Sequence, residues 1–370
     1  MVTNMQSYIK YNILRVLKEN LEKTIHFYTK VCGMEYVVKT VSKQGYPYTW
    51  SDNKIHVFTY KQKSKVYQPT GICFIVDENF KVDYEHRGYW KTGLALADLN
   101  AAARYFRKNG YEISDGEQFF DVGFVAFIKD PNGYSIELLQ HTFEENFQPY
   151  TGEVGCLDQP KTRLPCIGQI THETRAIKPT YDFYTNVLQM KHVCEEQPGN
   201  KLAFTLYFFT YTEEEPVNKI LSAVENREWL YGKEFCQVEI RHRHTTPKDF
   251  NFVTNDRDGV GKLGHVGISL CVSSDVMENI KQSVTTFDVC RDVDGVENIF
   301  IQDPDGLSFR TFQTVTSSFI YTSSYRLKVN RKYIHTSASK IKILNHTKKI
   351  KRLTRACRKQ FCLITEPKKN

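Results

Sequence analysis

The segment DPNGYSIELLQ at residues 130–140 returns as DPDGLSFRTFQ at 303–313, and Phe27-Tyr28-Thr29 returns as Phe183-Tyr184-Thr185. A third pair, RGYWKTGLAL from Arg87 and GKLGHVGISL from Gly261, lies between the other two in each copy. A chain that repeats its landmarks in the same order builds the same structural unit twice, and this limits its fold more than any composition does. At 370 residues the chain suits two domains of about 150 residues with a remainder. We expect domains at 8–145 and 166–315, a linker at 146–165 and a tail at 316–370. The second copy is longer between its landmarks. Its extra residues fall around TYTEEEPVNKILSAVENREWLYGKEF, which is polar and acidic and reads as a loop.

Within a copy the order of elements is legible. YNILRV reads as a strand and NLEKTIHFYTKV as a helix, with Leu21, Ile25, Phe27, Tyr28 and Val31 at helical spacing. TGLALADLNAAARYFRKNG repeats strand then helix and stops at Asn109-Gly110. FVAFIKDPNGYSIELLQ reads as a hairpin, which argues against a purely parallel sheet. The fold class is therefore α+β, each domain holding two modules of a strand, a helix and further strands. Strand parity puts Glu137 on the face opposite Tyr134, Ile136 and Leu138.

Charge is unevenly spread. From Arg326 to Asn370 there are 15 Lys or Arg against the single acid Glu366, so the tail carries +14 and the rest −6 of a net +8. A nucleic-acid-binding domain would carry its charge on the folded body, whereas here the charge sits on an appended arm. KIKILNHTKKIKRLTRACRKQFCLI places Ile343, Ile350, Leu353, Cys357, Phe361 and Ile364 near one helical face. We expect the tail to be disordered or an amphipathic helix, with a membrane, a protein or RNA as its possible contacts. The ten cysteines are scattered with no CxxC pair, which suits reduced thiols and a cytoplasmic location. No signal peptide or membrane-spanning run is visible, so a soluble chain is expected.

Taken together, FYTKVCGM, RGYW, FVAFIKDPNGYSIELLQ, LAFTLYFF, VEIRH, LGHVGIS and IFIQDPDG resemble glyoxalase I, lactoylglutathione lyase, of the vicinal-oxygen-chelate superfamily. The resemblance covers about residues 8 to 315 and matches the fused form, with two tandem glyoxalase domains in one chain. It implies paired βαβββ modules and isomerisation of the methylglyoxal–glutathione hemithioacetal to lactoylglutathione. It also implies a divalent metal, zinc or nickel, that holds the substrate oxygens while a glutamate moves the proton. Removing a proton beside a carbonyl needs a cation near the developing oxyanion and a carboxylate base within reach.

Carried over position by position, the four metal-binding places read Gln169, Glu239, His265 and Arg310 in the second copy. In the first they read Tyr11, Cys73, Lys91 and Glu137. In the family each site takes two places from each domain. That pairing gives one site of Gln169, Glu239, Lys91 and Glu137, with Glu137 and Glu239 as the catalytic candidates. The other would be Tyr11, Cys73, His265 and Arg310, expected to be catalytically dead and suited to an anion. A domain closed on itself would instead unite Gln169, Glu239 and His265. A protonated lysine has no lone pair for a metal and repels it. Arg15 and Arg87 match family arginines that bind glutathione, while their counterparts are Glu173 and Gly261. Two readings follow: a glyoxalase I-like enzyme with one weakened site, or an inactive member of the fold that binds a ligand or partner. The expected assembly is a monomer with an intrachain domain pair. A ring-cleaving dioxygenase needs two histidines and a carboxylate in one domain, and Arg310 stands where that carboxylate would be.

Overall fold

The computed structural model describes residues 7–40, 54–61, 67–78, 80, 82, 88–148, 166–198, 203–245, 264–291 and 296–313. Arg87, most of the expected linker and the basic tail lie outside the described residues. The described residues all belong to one compact unit, Met1–Thr316. The first copy contributes β1 (Tyr8–Val16), β2 (Glu35–Thr40), β3 (Lys54–Thr59), β4 (Gly71–Val76), β5 (Tyr89–Leu96), β6 (Glu117–Phe119), β7 (Gly123–Lys129) and β8 (Ser135–Gln140). The second contributes β9 (Cys166–Thr174), β10 (Lys191–Glu196), β11 (Phe204–Thr210), β12 (Gln237–Arg243), β13 (His265–Val272), β14 (Asp288–Arg291), β15 (Glu297–Gln302) and β16 (Ser308–Gln313). The helices are α1 (Leu21–His26), α2 (Leu99–Lys108), α3 (Ile177–Asp182), α4 (Glu225–Tyr231) and α5 (Ser274–Ser283). None of them is long and apolar enough to cross a membrane.

The repeated sequence signatures become repeated local structures. Both α1 and α3 run on into a π-helical turn at the FYT motif, over Phe27–Val31 and Phe183–Val187, burying Phe27, Tyr28, Phe183 and Tyr184. Asp98 caps α2 by accepting from Ala101 N, and Ser273 caps α5 by accepting from Val276 N. The two DPxG turns are closed alike. Asp130 Oδ1 accepts from the backbone N of Asn132 and Tyr134, and Asp303 Oδ1 accepts from Asp305 and Leu307. The expected hairpin follows, with β7 antiparallel to β8.

The strands form two mixed eight-stranded sheets, ordered β14-β15-β16-β13-β1-β4-β3-β2 and β10-β11-β12-β9-β5-β8-β7-β6. Neither copy closes on itself. Each sheet takes four strands from each copy, joined through the antiparallel pairs β1·β13 and β5·β9. One continuous apolar core takes a row of side chains from both sheets, among them Leu14, Phe74, Leu94, Ile136, Ile170, Ile240, Leu270 and Phe309, and packs α1, α2, α3 and α5 side chains against them. The opposite rows of the strands line two further faces, each with its own smaller cluster.

Candidate functional site

The sheet of β5–β12 brings Lys91, Glu137, Gln169 and Glu239 together, one residue from each of four adjacent strands. Gly93 lies opposite both Gln169 and Glu137 in register, and Glu239 lies opposite Thr171. A Cβ at Gly93 would run into Gln169 Cγ, so glycine there is what lets the Gln169 side chain lie across the strand. Lys91 Nζ donates to Glu137 Oε2 at 2.6 Å and stands 3.4 Å from Glu239 Oε2. Gln169 Nε2 donates to the same Glu137 oxygen at 2.5 Å, and Thr171 Oγ1 donates to Glu239 at 2.9 Å. All four are nearly sealed from solvent, Lys91 at 4% exposure and Glu239 at 1%. The Trp90 ring covers the group, with Lys91 Nζ 4.6 Å and Arg241 Cζ 3.6 Å from its centroid.

These residues do not fit a divalent cation. Burial pulls the Lys91 ammonium down, but the charges of Glu137 and Glu239 more than offset it, and its pKa ends above the ordinary lysine value. The same burial raises the Glu239 carboxyl while the Lys91 charge holds it down. Lys91 therefore stays protonated and itself supplies the positive charge between the two carboxylates, where it has no lone pair to offer and repels a second cation. Among the described residues no group of three or more His, Cys, Asp or Glu side chains is arranged to hold a metal ion.

The insertion read as a loop holds a helix instead. In α4, Asn226, Arg227, Leu230 and Tyr231 are buried, and Leu230 and Tyr231 pack with Leu139 and Phe208. Leu139 shares the strand face of Glu137, and Phe208 lies opposite Glu239, so α4 sits on the face that carries the polar group. Arg227 reaches Asp121, between β6 and β7, at 2.7 Å and Glu196, at the end of β10, at 3.9 Å. Those strands are the two edges of the sheet, so one side chain spanning both means the sheet is curled into a cup with α4 across it. Tyr231 OH donates to Glu196 Oε1 at 2.7 Å. Burial pushes the Glu196 carboxyl up to about 8, against the opposing charge of Arg227. The apolar run Trp229-Leu230-Tyr231 signalled a buried side within the insertion, though no local pattern marked a helix there.

The other sheet carries Tyr11, Cys73 and Arg310 at the matching places, but not His265. Gly267 lies opposite Ile13, as Lys91 lies opposite Thr171, while His265 lies opposite Leu14, as Tyr89 lies opposite His172. Register shifts on both central pairs, at Trp90 and Val266, fix this correspondence, and Gly267 has φ 153° with the Ser308 carbonyl where a Cβ would go. The structure therefore places His265, expected beside Tyr11, Cys73 and Arg310, against the β5 strand of the other sheet. Its ring stacks 4.3 Å from Tyr89, and its Nε2–H donates to Asn12 Oδ1 at 2.9 Å. Burial, then the charges of His172 and Arg15, keep it well below the ordinary histidine range. Val266 joins Ile13, Ile55, Val57, Cys73, Ile75 and Tyr11 in an apolar cluster. Burial pushes the Cys73 thiol up to about 12, which makes it a poor thiolate ligand.

Arg15 is buried, its Nε 3.1 Å from Asp77 Oδ2. Its counterpart Glu173 reverses the charge and pairs with Arg241 and with Arg243, the latter at 3.1 Å. Arg87, the other glutathione candidate, lies outside the described residues.

Against this geometry stand the known proteins. The Glyoxalase/Bleomycin resistance protein/Dioxygenase superfamily matches residues 10–138. Glyoxalase I of Saccharomyces cerevisiae is 29% identical over 236 residues, which are 60% of this chain and 63% of that protein, so the match spans less than two thirds of the yeast relative. A probable lactoylglutathione lyase of Vibrio cholerae is 30% identical over 137 residues, 36% of this chain and 90% of that one. The crystal structure of glyoxalase I from Zea mays shares the fold at a TM-score of 0.57 and 13% identity, covering 83% of this chain and 92% of that chain. The two sheets, built from a unit used twice, are thus those of two tandem glyoxalase domains. By fold, by the repeated motifs and by these relatives, the chain belongs to the glyoxalase/bleomycin resistance protein/dioxygenase superfamily.

Proposed function

We propose that this chain is a glyoxalase-fold protein that has exchanged the metal of its relatives for Lys91 and acts by binding rather than by metal-dependent isomerisation. The observation that carries the reading is the Lys91 ammonium 2.6 Å from Glu137 and 3.4 Å from Glu239. In that position it neutralises the carboxylates that a divalent ion would need, and it engages both catalytic candidates, Glu137 and Glu239. The helix α4 across the same face supports the reading, because a substrate would have to displace Leu230 and Tyr231 to reach Glu137. The test is turnover of preformed methylglyoxal–glutathione hemithioacetal by the full chain with zinc or nickel added. No turnover above background is expected, and metal-dependent turnover that disappears in Glu137→Gln would overturn the reading.

A second reading is favoured by a different observation: Gln169, Glu239 and Glu137 meet in one cup, the pairing that the lactoylglutathione lyase resemblance calls for. On that reading the chain isomerises the glutathione hemithioacetal weakly in the cytoplasm, with Glu137 moving the proton and Arg15 and Arg87 on the glutathione side. The buried Arg15–Asp77 pair speaks against it, since Arg15 would have to leave a carboxylate it already holds. The turnover measurement decides between the two.

A further inference from the structure

The corresponding face of the other sheet, the second cup, gathers cations among its described residues where the first gathers acids around Lys91. Lys10 Nζ lies 5.1 Å from the Phe312 ring and 5.7 Å from the Tyr11 ring. Lys39 Nζ lies 5.7 Å from the Tyr11 ring and donates to the Tyr11 hydroxyl at 3.1 Å. Arg310 Cζ lies 5.4 Å from the Phe312 ring, with its Nε on Asn298 Oδ1 at 2.8 Å. Three cations therefore gather around two half-buried rings on one face. Lys10 feels this directly: burial, aided by the charges of Lys39 and Arg310, lowers its pKa.

A buried hydroxyl points to the same place. Ser269 is fully buried, and its Oγ has no hydrogen-bond partner. It lies opposite Tyr11 on one side and Arg310 on the other, so its side chain shares their face. A buried hydroxyl left without a partner is costly, and a bound acceptor would satisfy it. Beneath lies the apolar cluster of Ile13, Ile55, Val57 and Val266. Among the described acids of this sheet, Asp77 is held by Arg15, Glu297 pairs with Lys281 and Arg291, and Glu35 and Asp288 lie exposed on the two edge strands.

We propose that this cup binds a small organic carboxylate with a flat apolar body, its head on the Arg310, Lys10 and Ser269 side and its body against Tyr11 and Phe312. A guanidinium fork and a hydroxyl both donate to a carboxylate, whereas a further cation would be repelled by the charges of Lys10, Lys39 and Arg310. The proposal is independent of the reading of the Lys91 cup.

Titration calorimetry of the full chain with benzoate tests it, with acetate as the head without the body and inorganic phosphate as an anion without either. One equivalent of benzoate is expected to bind, with acetate and phosphate at least about tenfold weaker. Arg310→Gln should weaken benzoate by about tenfold and Ser269→Ala by several-fold. Lys178→Met, on the exposed side of α3, should leave it unchanged. Absence of saturable benzoate binding at millimolar concentration would overturn the proposal, as would phosphate binding as well as benzoate. Should Arg310→Gln not fold, Ser269→Ala decides alone: benzoate affinity equal to that of the unaltered chain would place the ligand elsewhere.

Discussion

Replacing Lys91 by methionine removes the shared cation and leaves Glu137 and Glu239 as two buried carboxylates facing each other. Breaking a buried ionic group in this way costs about 3–5 kcal/mol, and urea unfolding should show it; a loss of under about 1 kcal/mol would mean that the group is solvated. Two other buried residues give opposite pH signatures. Burial holds His172 down to about 3, against about 6.5 in an unfolded chain. Below about 6.5 the unfolded state binds the extra proton, so this contribution is complete above that pH and is lost as pH falls toward 3. Glu196 is raised to about 8, so the folded state keeps a proton that the unfolded state has lost, and its contribution is full below about 4.5 and lost as pH rises to 8. The stability profile of His172→Leu should therefore be flatter than that of the parent chain on the acid side, and that of Glu196→Gln flatter between 4.5 and 8. Parallel profiles would contradict the burial of these groups. Glu137 stood out in the repeat because its counterpart is Arg310, whereas Gln169 and Glu239 came only from the resemblance; the structure places the three on neighbouring strands. The position of His265 was not legible in either way, since an extra residue at Val266 turns the strand and changes which side chain faces the cup.

Among the elements, α4 separates what pattern could and could not reveal. Strands and helices that occur twice were readable from their periodicity, and the two DPxG turns from their Asp and Gly. The α4 segment occurs once, is short, and gains its order from tertiary contacts that no local pattern records. Its Arg227 joins the two edges of a curled sheet. We expect Arg227→Met to destabilise the chain by about 3 kcal/mol and to raise amide hydrogen exchange in β6 and β10 together. Faster exchange confined to α4 would show that the helix rests on the sheet without clasping it. The polar sequence of the insertion was a true reading of its surface, where Val217 and Ile220 are also exposed, but it hid the buried side.

At the scale of the whole molecule, two copies in the sequence became two sheets that each contain half of both copies. That exchange was legible only through the resemblance, since nothing in a repeat tells whether its units close alone or across one another; the long-range pairs β1·β13 and β5·β9 settle it. A core continuous through both sheets predicts one cooperative unfolding transition, so Phe74→Ala in one sheet and Lys91→Met in the other should shift the same calorimetric peak. Two separable peaks would mean that the sheets are independent. The charge inversion between the cups, acids around Lys91 in one and cations around Tyr11 and Phe312 in the other, makes them separate sites by chemistry as well as by place. If Lys91 stands where the relatives hold a metal, zinc or nickel titrated into the purified full chain and then dialysed should remain at less than one ion per chain, whereas Lys91→His should keep one. One ion per chain held by the parent protein would show that Lys91 does not replace a cation.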